Sequence, residues 1–150
     1  MTSRSVFLRS AAVAALSLGL AGCGMMQSMT GGADHYGATM SAAQESPPNT
    51  STGTGAADVT YHPSTSTLSY RVTYSGLTGP ATAGHIHGPA GPGQNAGVLV
   101  PFANAGSSPI TGEVKITPEQ LNQLNSGQWY VNIHTAAHPA GEIRGQLRRR

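Results

Sequence analysis

The chain has 150 residues, with eight Lys or Arg against six Asp or Glu. Two of the basic residues, Arg4 and Arg9, fall in an N-terminal leader, and the six that remain balance the six acids, so the basic pI is no argument for nucleic-acid binding. A single cysteine excludes an internal disulfide, and stability must come from a packed core.

The leader comes first. Arg4 and Arg9 precede Ala11 to Ala21, an uncharged run of 11 residues, which suits a signal sequence and falls well short of the roughly 20 apolar residues needed to cross a bilayer. The run ends in Leu20-Ala21-Gly22-Cys23, which resembles a lipobox. Small residues at 21 and 22 admit the peptidase, and the Cys23 thiol is the expected site of lipidation. Ser3 to Arg9 also resembles a twin-arginine signal, but Ser5 stands where the second arginine belongs, so general secretion is expected. Residues 1–22 thus read as a lipoprotein signal peptide, 23–37 as a flexible glycine-containing tether, and 38–148 as one domain. The expected location is the cell envelope, with a lipid anchor holding the protein to a membrane, at the periplasmic side of the outer membrane or at the cell surface. Gly24 after the cysteine favours the outer membrane in a Gram-negative host. The reading implies a monomer.

Beyond the tether, short β-rich runs recur between turn residues. They are Ala56 to Tyr61, Thr67 to Tyr74, Thr82 to His87, Gly97 to Phe102, Ile110 to Ile116, Gln128 to His134 and Glu142 to Leu147. In the second run, Leu68, Tyr70, Val72 and Tyr74 alternate with polar residues and share a face. Such spacing predicts an all-β sandwich or barrel. One short helix interrupts it. Thr117-Pro118-Glu119-Gln120 forms a capping box with Pro at the first helical position, Leu121 and Leu124 share a face, and Gly127 is the stop signal. The glycines of Gly88 to Gly93 have neither a following helix nor a Lys-Ser/Thr, so they are not a phosphate loop.

Six blocks, in order, resemble the CHRD family, named after chordin: Ser41 to Pro48, Gly76-Leu77-Thr78, Ala83-Gly84-His85-Ile86-His87-Gly88-Pro89-Ala90, Leu121 to Gly127, Tyr130-Val131-Asn132-Ile133-His134-Thr135, and Pro139-Ala140-Gly141-Glu142-Ile143-Arg144-Gly145-Gln146-Leu147. The resemblance spans roughly Ala38 to Leu147. It implies an immunoglobulin-like Greek-key β-sandwich, related in outline to Cu/Zn superoxide dismutase, and no settled activity.

Histidine is the informative side chain. Residues i and i+2 of a strand face the same way, so His85 and His87 converge, and His134 at the end of another predicted strand can supply a third imidazole. Neutral imidazoles bind copper and zinc well, and copper(II) leads the affinity order. His138 is a candidate fourth ligand, whereas His35 in the tether and His62 in a hairpin turn read as exposed. His85-Ile86-His87-Gly88 is also similar to the His-x-His stretch that supplies two copper ligands in Cu/Zn superoxide dismutases. Ile133-His134 is similar to the late ligand step there, and Arg144 falls where that family keeps an arginine beside the copper. The zinc loop, the bridging histidine and the disulfide of that family are missing.

Two other roles for the histidines stay open, a structural one closing the loop Gly88 to Gly93 and one in ligand recognition. Glu142 and Arg144, two apart on a strand, read as residues beside the metal ligands that form an ion pair or bind backbone carbonyls. Of Trp129 and Tyr130, one ring is expected in the core and the other at the surface. The Arg148-Arg149-Arg150 tail reads as a solvated end or a contact for anionic headgroups. No nucleophile–base arrangement stands out. The functional expectation is a non-catalytic, lipid-anchored copper protein that buffers or relays the metal. The alternatives are a structural or adhesive envelope module, and a copper-dependent enzyme of superoxide-dismutase type. All copper readings require the ring of His134 to lie within about 10 Å of the other two, given metal–nitrogen bonds of about 2 Å.

Overall fold

A computed structural model describes residues 31–150. The signal segment, Cys23 and most of the tether lie outside the described residues. Nine strands follow one another as β1 (Asp34–Ser41), β2 (Thr54–His62), β3 (Thr67–Ser75), β4 (Ala81–His87), β5 (Val98–Pro101), β6 (Ile110–Lys115), β7 (Tyr130–Thr135), β8 (Ile143–Gln146) and β9 (Arg148–Arg149), with one α-helix, α1 (Pro118–Asn125), between β6 and β7. The seven strand runs read from the sequence all form, with ends shifted by one or two residues.

Alternation explains the longest hairpin. Ala57, Val59 and Tyr61 of β2 and Leu68, Tyr70 and Val72 of β3 are buried, and the paired Asp58 and Arg71 point outward. Ser66, at φ 53°, turns the chain between them. All strands pair antiparallel in one continuous sheet of order β5-β4-β7-β8-β1-β2-β3-β6, with β9 on β1. The sheet curls until its two ends meet. Phe102, just after β5, packs on Tyr70 of β3 with ring centroids 5.0 Å apart, and the Tyr74 hydroxyl donates to the Ala105 carbonyl at 2.7 Å. The outcome is a nearly closed antiparallel barrel around Tyr36, Met40, Val59, Leu68, Ile86, Val131 and Ile133.

The helix forms as its caps dictate. The Thr117 hydroxyl accepts from the Gln120 N–H at 3.2 Å, and the Gln120 side chain accepts from the Thr117 N–H at 2.9 Å. Leu124 is fully buried, and Gly127 leaves the helix in the left-handed region at φ +67°. No helix among the described residues is long and apolar enough to cross a membrane.

Two features depart from the sequence reading. The first strand starts at Asp34, inside the stretch assigned to the tether, because its eight residues find an unbroken ladder on β2 from Asp34↔Tyr61 to Ser41↔Thr54. The C-terminal arginines also do not hang free. β9 adds to β1 through Tyr36↔Arg149 and Gly37↔Arg148, with Arg149 bonded to Asp34 and Arg150 to Asp58. Both pairs are exposed, so they orient the tail more than they stabilise it.

Candidate metal centre

Three adjacent strands, β4, β7 and β8, build the site. Their alternate residues Ile86, Val131, Ile133 and Ile143 fill the core, so the intervening residues emerge on the opposite face. Register sets His85 opposite Asn132, His87 opposite Tyr130 and Ala83 opposite His134 across β4 and β7, and Arg144 opposite Asn132 across β7 and β8. His85, His87, Asn132, His134, Tyr130 and Arg144 therefore share one polar patch outside the apolar core.

The three predicted imidazoles meet. Ring centroids of His134 lie 4.9 Å from His85 and 6.5 Å from His87, and those of His85 and His87 are 5.2 Å apart. One ligand atom from each falls within 4.8 Å of the others. His138 is not in this group. Its backbone bonds with Thr135 in the turn after β7. His35 pairs with Thr60 on the exposed side of β1, and His62 with Ser69 at the end of the first hairpin.

Hydrogen bonding fixes which nitrogens are free. His87 Nδ1 lies 3.0 Å from the Ala96 carbonyl and His134 Nδ1 lies 3.0 Å from the Pro139 carbonyl. A carbonyl oxygen only accepts, so each Nδ1 carries the hydrogen and each Nε2 keeps its lone pair. Both Nε2 atoms point inward, each 3.0 Å from Oδ1 of the buried Asn132. His85 Nδ1 stands 3.1 Å from His134 Nε2. Burial, reinforced by repulsion from His134 and His87, lowers the His85 pKa to about 4, and burial likewise lowers that of His134. At neutral pH, His85 and His134 are thus held uncharged, the form that ligates a metal.

A stack supports the centre. The His87 ring lies parallel to Tyr130 at 4.8 Å, and the Arg144 guanidinium covers the Tyr130 ring at 3.5 Å from its centroid. Arg144 also donates to the Gly91 carbonyl and Asn95 side chain of the loop that follows β4, tying that loop over the patch. Tyr130 is consequently buried along with Trp129. The expectation of one surface ring fails, since the loop after β4 and Arg144 roof the face on which Tyr130 emerges.

The proposed pairing of Glu142 with Arg144 does not form. Glu142 precedes β8 rather than lying in it, and its carboxylate accepts from the Ser51 hydroxyl at 2.6 Å, the Thr78 N–H at 2.7 Å, the Thr78 hydroxyl at 2.8 Å and the Thr135 hydroxyl at 2.6 Å. These donors outweigh the effect of burial and hold its pKa at about 2. Glu142 is a structural knot, and Arg144 reaches the centre only through Tyr130. Asn132 was overlooked in the sequence, although its place two residues before His134 on one strand already put it on the same face.

Fold and site together define a small antiparallel β-barrel with an imidazole cluster on its polar face. A family model, the CHRD domain, matches residues 36–147, and the chain belongs to that family. No curated protein and no solved structure matches it.

Proposed function

We propose that this protein is a lipid-anchored envelope protein that binds copper without catalysis, buffering or relaying the metal. One observation carries the reading: imidazoles from two strands, 49 residues apart in the case of His85 and His134, gather with one ring nitrogen of each within 4.8 Å of the others. The donor set fits the metal. Nitrogen-rich sites favour copper(II) over other divalent first-row ions, and bound there the ion supplies a one-electron redox couple. The chain does the rest. Ala96 and Pro139 carbonyls orient two rings by accepting from their Nδ1 hydrogens, and Tyr130 with Arg144 buttresses His87 and shields it from water. The Leu20-Ala21-Gly22-Cys23 motif supports the anchor.

The test uses full-length chain carrying Cys23→Ser, which removes the competing thiol. After loading with copper or zinc and dialysis, about one copper per chain is expected, and none in a His85→Ala/His87→Ala double variant. A chain that retains no metal overturns the proposal and leaves the hydrogen-bonded imidazoles as a structural clasp between the loop after β4 and β7. Superoxide turnover by the copper-loaded chain would move the protein to the enzyme class.

A further inference from the structure

We infer that Asn132 is a fourth ligand of the centre, binding through its amide oxygen and fixing a preference for copper(II) over copper(I). The inference rests on the copper-binding reading above. Its basis is the placement of a buried amide against two of the three candidate ligand nitrogens. Asn132 Oδ1 lies 3.0 Å from His87 Nε2 and 3.0 Å from His134 Nε2. In the neutral form that binds a metal, each ring has its N–H on Nδ1 against the Ala96 or Pro139 carbonyl and turns the Nε2 lone pair toward the amide. Asn132, only 4% exposed, thus sets its amide between two ligand nitrogens, with His85 Nδ1 3.1 Å from His134 Nε2 beside it. With Oδ1 inward, a cation placed among them would be held by three lone pairs.

Successive donor spacings approach those around one ion, and the imidazole nitrogens, spread over as much as 4.8 Å, draw in on binding it. Ligand atoms about 2.0–2.1 Å from a metal lie about 2.9 Å apart at right angles and about 3.4 Å apart at the tetrahedral angle. Taken in order, His85 Nδ1, His134 Nε2, Asn132 Oδ1 and His87 Nε2 are separated by 3.1, 3.0 and 3.0 Å. These values sit nearer the right-angle figure, and a tetragonal site of nitrogen and oxygen donors is the preference of copper(II). A hard amide oxygen adds little for copper(I), which prefers sulfur ligands. Ligation through His85 Nδ1 needs its hydrogen on Nε2, a shift between the two neutral forms of the ring with no change of charge.

There is one competing arrangement. A half-turn of the amide places Nδ2 where Oδ1 lies, so that its two hydrogens serve the two Nε2 atoms and Asn132 becomes a strut. Full-length Cys23→Ser chain, alone and with Asn132→Asp or Asn132→Leu, separates the two. Copper(II) and copper(I) affinities are measured by competition titration, and frozen copper(II) samples by electron paramagnetic resonance, with Trp129 fluorescence reporting folding. Ligation predicts copper(II) binding at least tenfold tighter in the isosteric Asp variant and at least tenfold weaker in the Leu variant. It also predicts altered g and copper hyperfine values in both and little change for copper(I). Unchanged spectra and copper(II) affinity in the folded Asp variant overturn the assignment while leaving the three-histidine site intact. Failure of the parent chain to bind copper overturns both.

Discussion

Glu142 offers the sharpest physical test of the fold. Its side chain is fully buried and accepts four hydrogen bonds from three separate segments: Ser51 before β2, Thr78 before β4, and Thr135 at the end of β7. In Glu142→Gln the shape is kept and the negative charge is lost. The carboxyl's pKa falls from 4.5 to about 2 on folding, which at about 1.4 kcal/mol per unit corresponds to about 3 kcal/mol at pH 7. The sign follows from the depressed value. Stabilisation is complete above the unfolded-state value of 4.5 and is lost as pH falls toward 2. At pH 3, about half of it should remain. The assay is urea unfolding of both proteins at pH 3, 5 and 7, followed by fluorescence of Trp129, the single tryptophan and wholly buried. The Gln variant should be less stable by about 3 kcal/mol at pH 7, with the gap narrowing by about half at pH 3. A gap that stays constant with pH would show that the carboxylate's charge contributes nothing, and the account of the knot would be wrong.

Glu45 should behave in the opposite sense. It is 6% exposed with Oε1 unbonded, and burial raises its pKa to about 7 in spite of Arg144, so wild-type stability should decline as pH rises from 4.5 through 7. Glu45→Gln removes that decline, so the variant should gain on wild type between pH 5 and pH 8.5, and parallel unfolding midpoints across that range would refute the assignment. Gly141 sits at φ +134°, and a Cβ there would run into the Glu45 carboxylate. Gly141→Ala should cost about 1–3 kcal/mol in urea unfolding, and a loss under about 0.5 kcal/mol would mean the turn relaxes freely.

Much of the local structure was legible. Period-two alternation marked β2 and β3, and the Thr117 capping box with Gly127 bounded α1. What escaped depends on neighbours remote in sequence. Asp34 to Gly37 has no strong strand signal of its own and becomes β-structure because β2 and β9 both pair with it. The same-face rule misplaced Glu142 because it holds only within a strand, and the turn at Gly141 puts that residue outside β8.

The chain by itself settled which residues alternate, where the helix starts and stops, and that His85 and His87 look the same way, since each depends on side chains a few positions apart. Only the nearly closed barrel decided that β7 lies against β4 in the register bringing Asn132 and His134 to them, and that Tyr130 ends up roofed. Pairing partners are selected by burying Ile86, Val131, Ile133 and Ile143 in one common core. That burial is a property of the whole sheet and is written in no single segment.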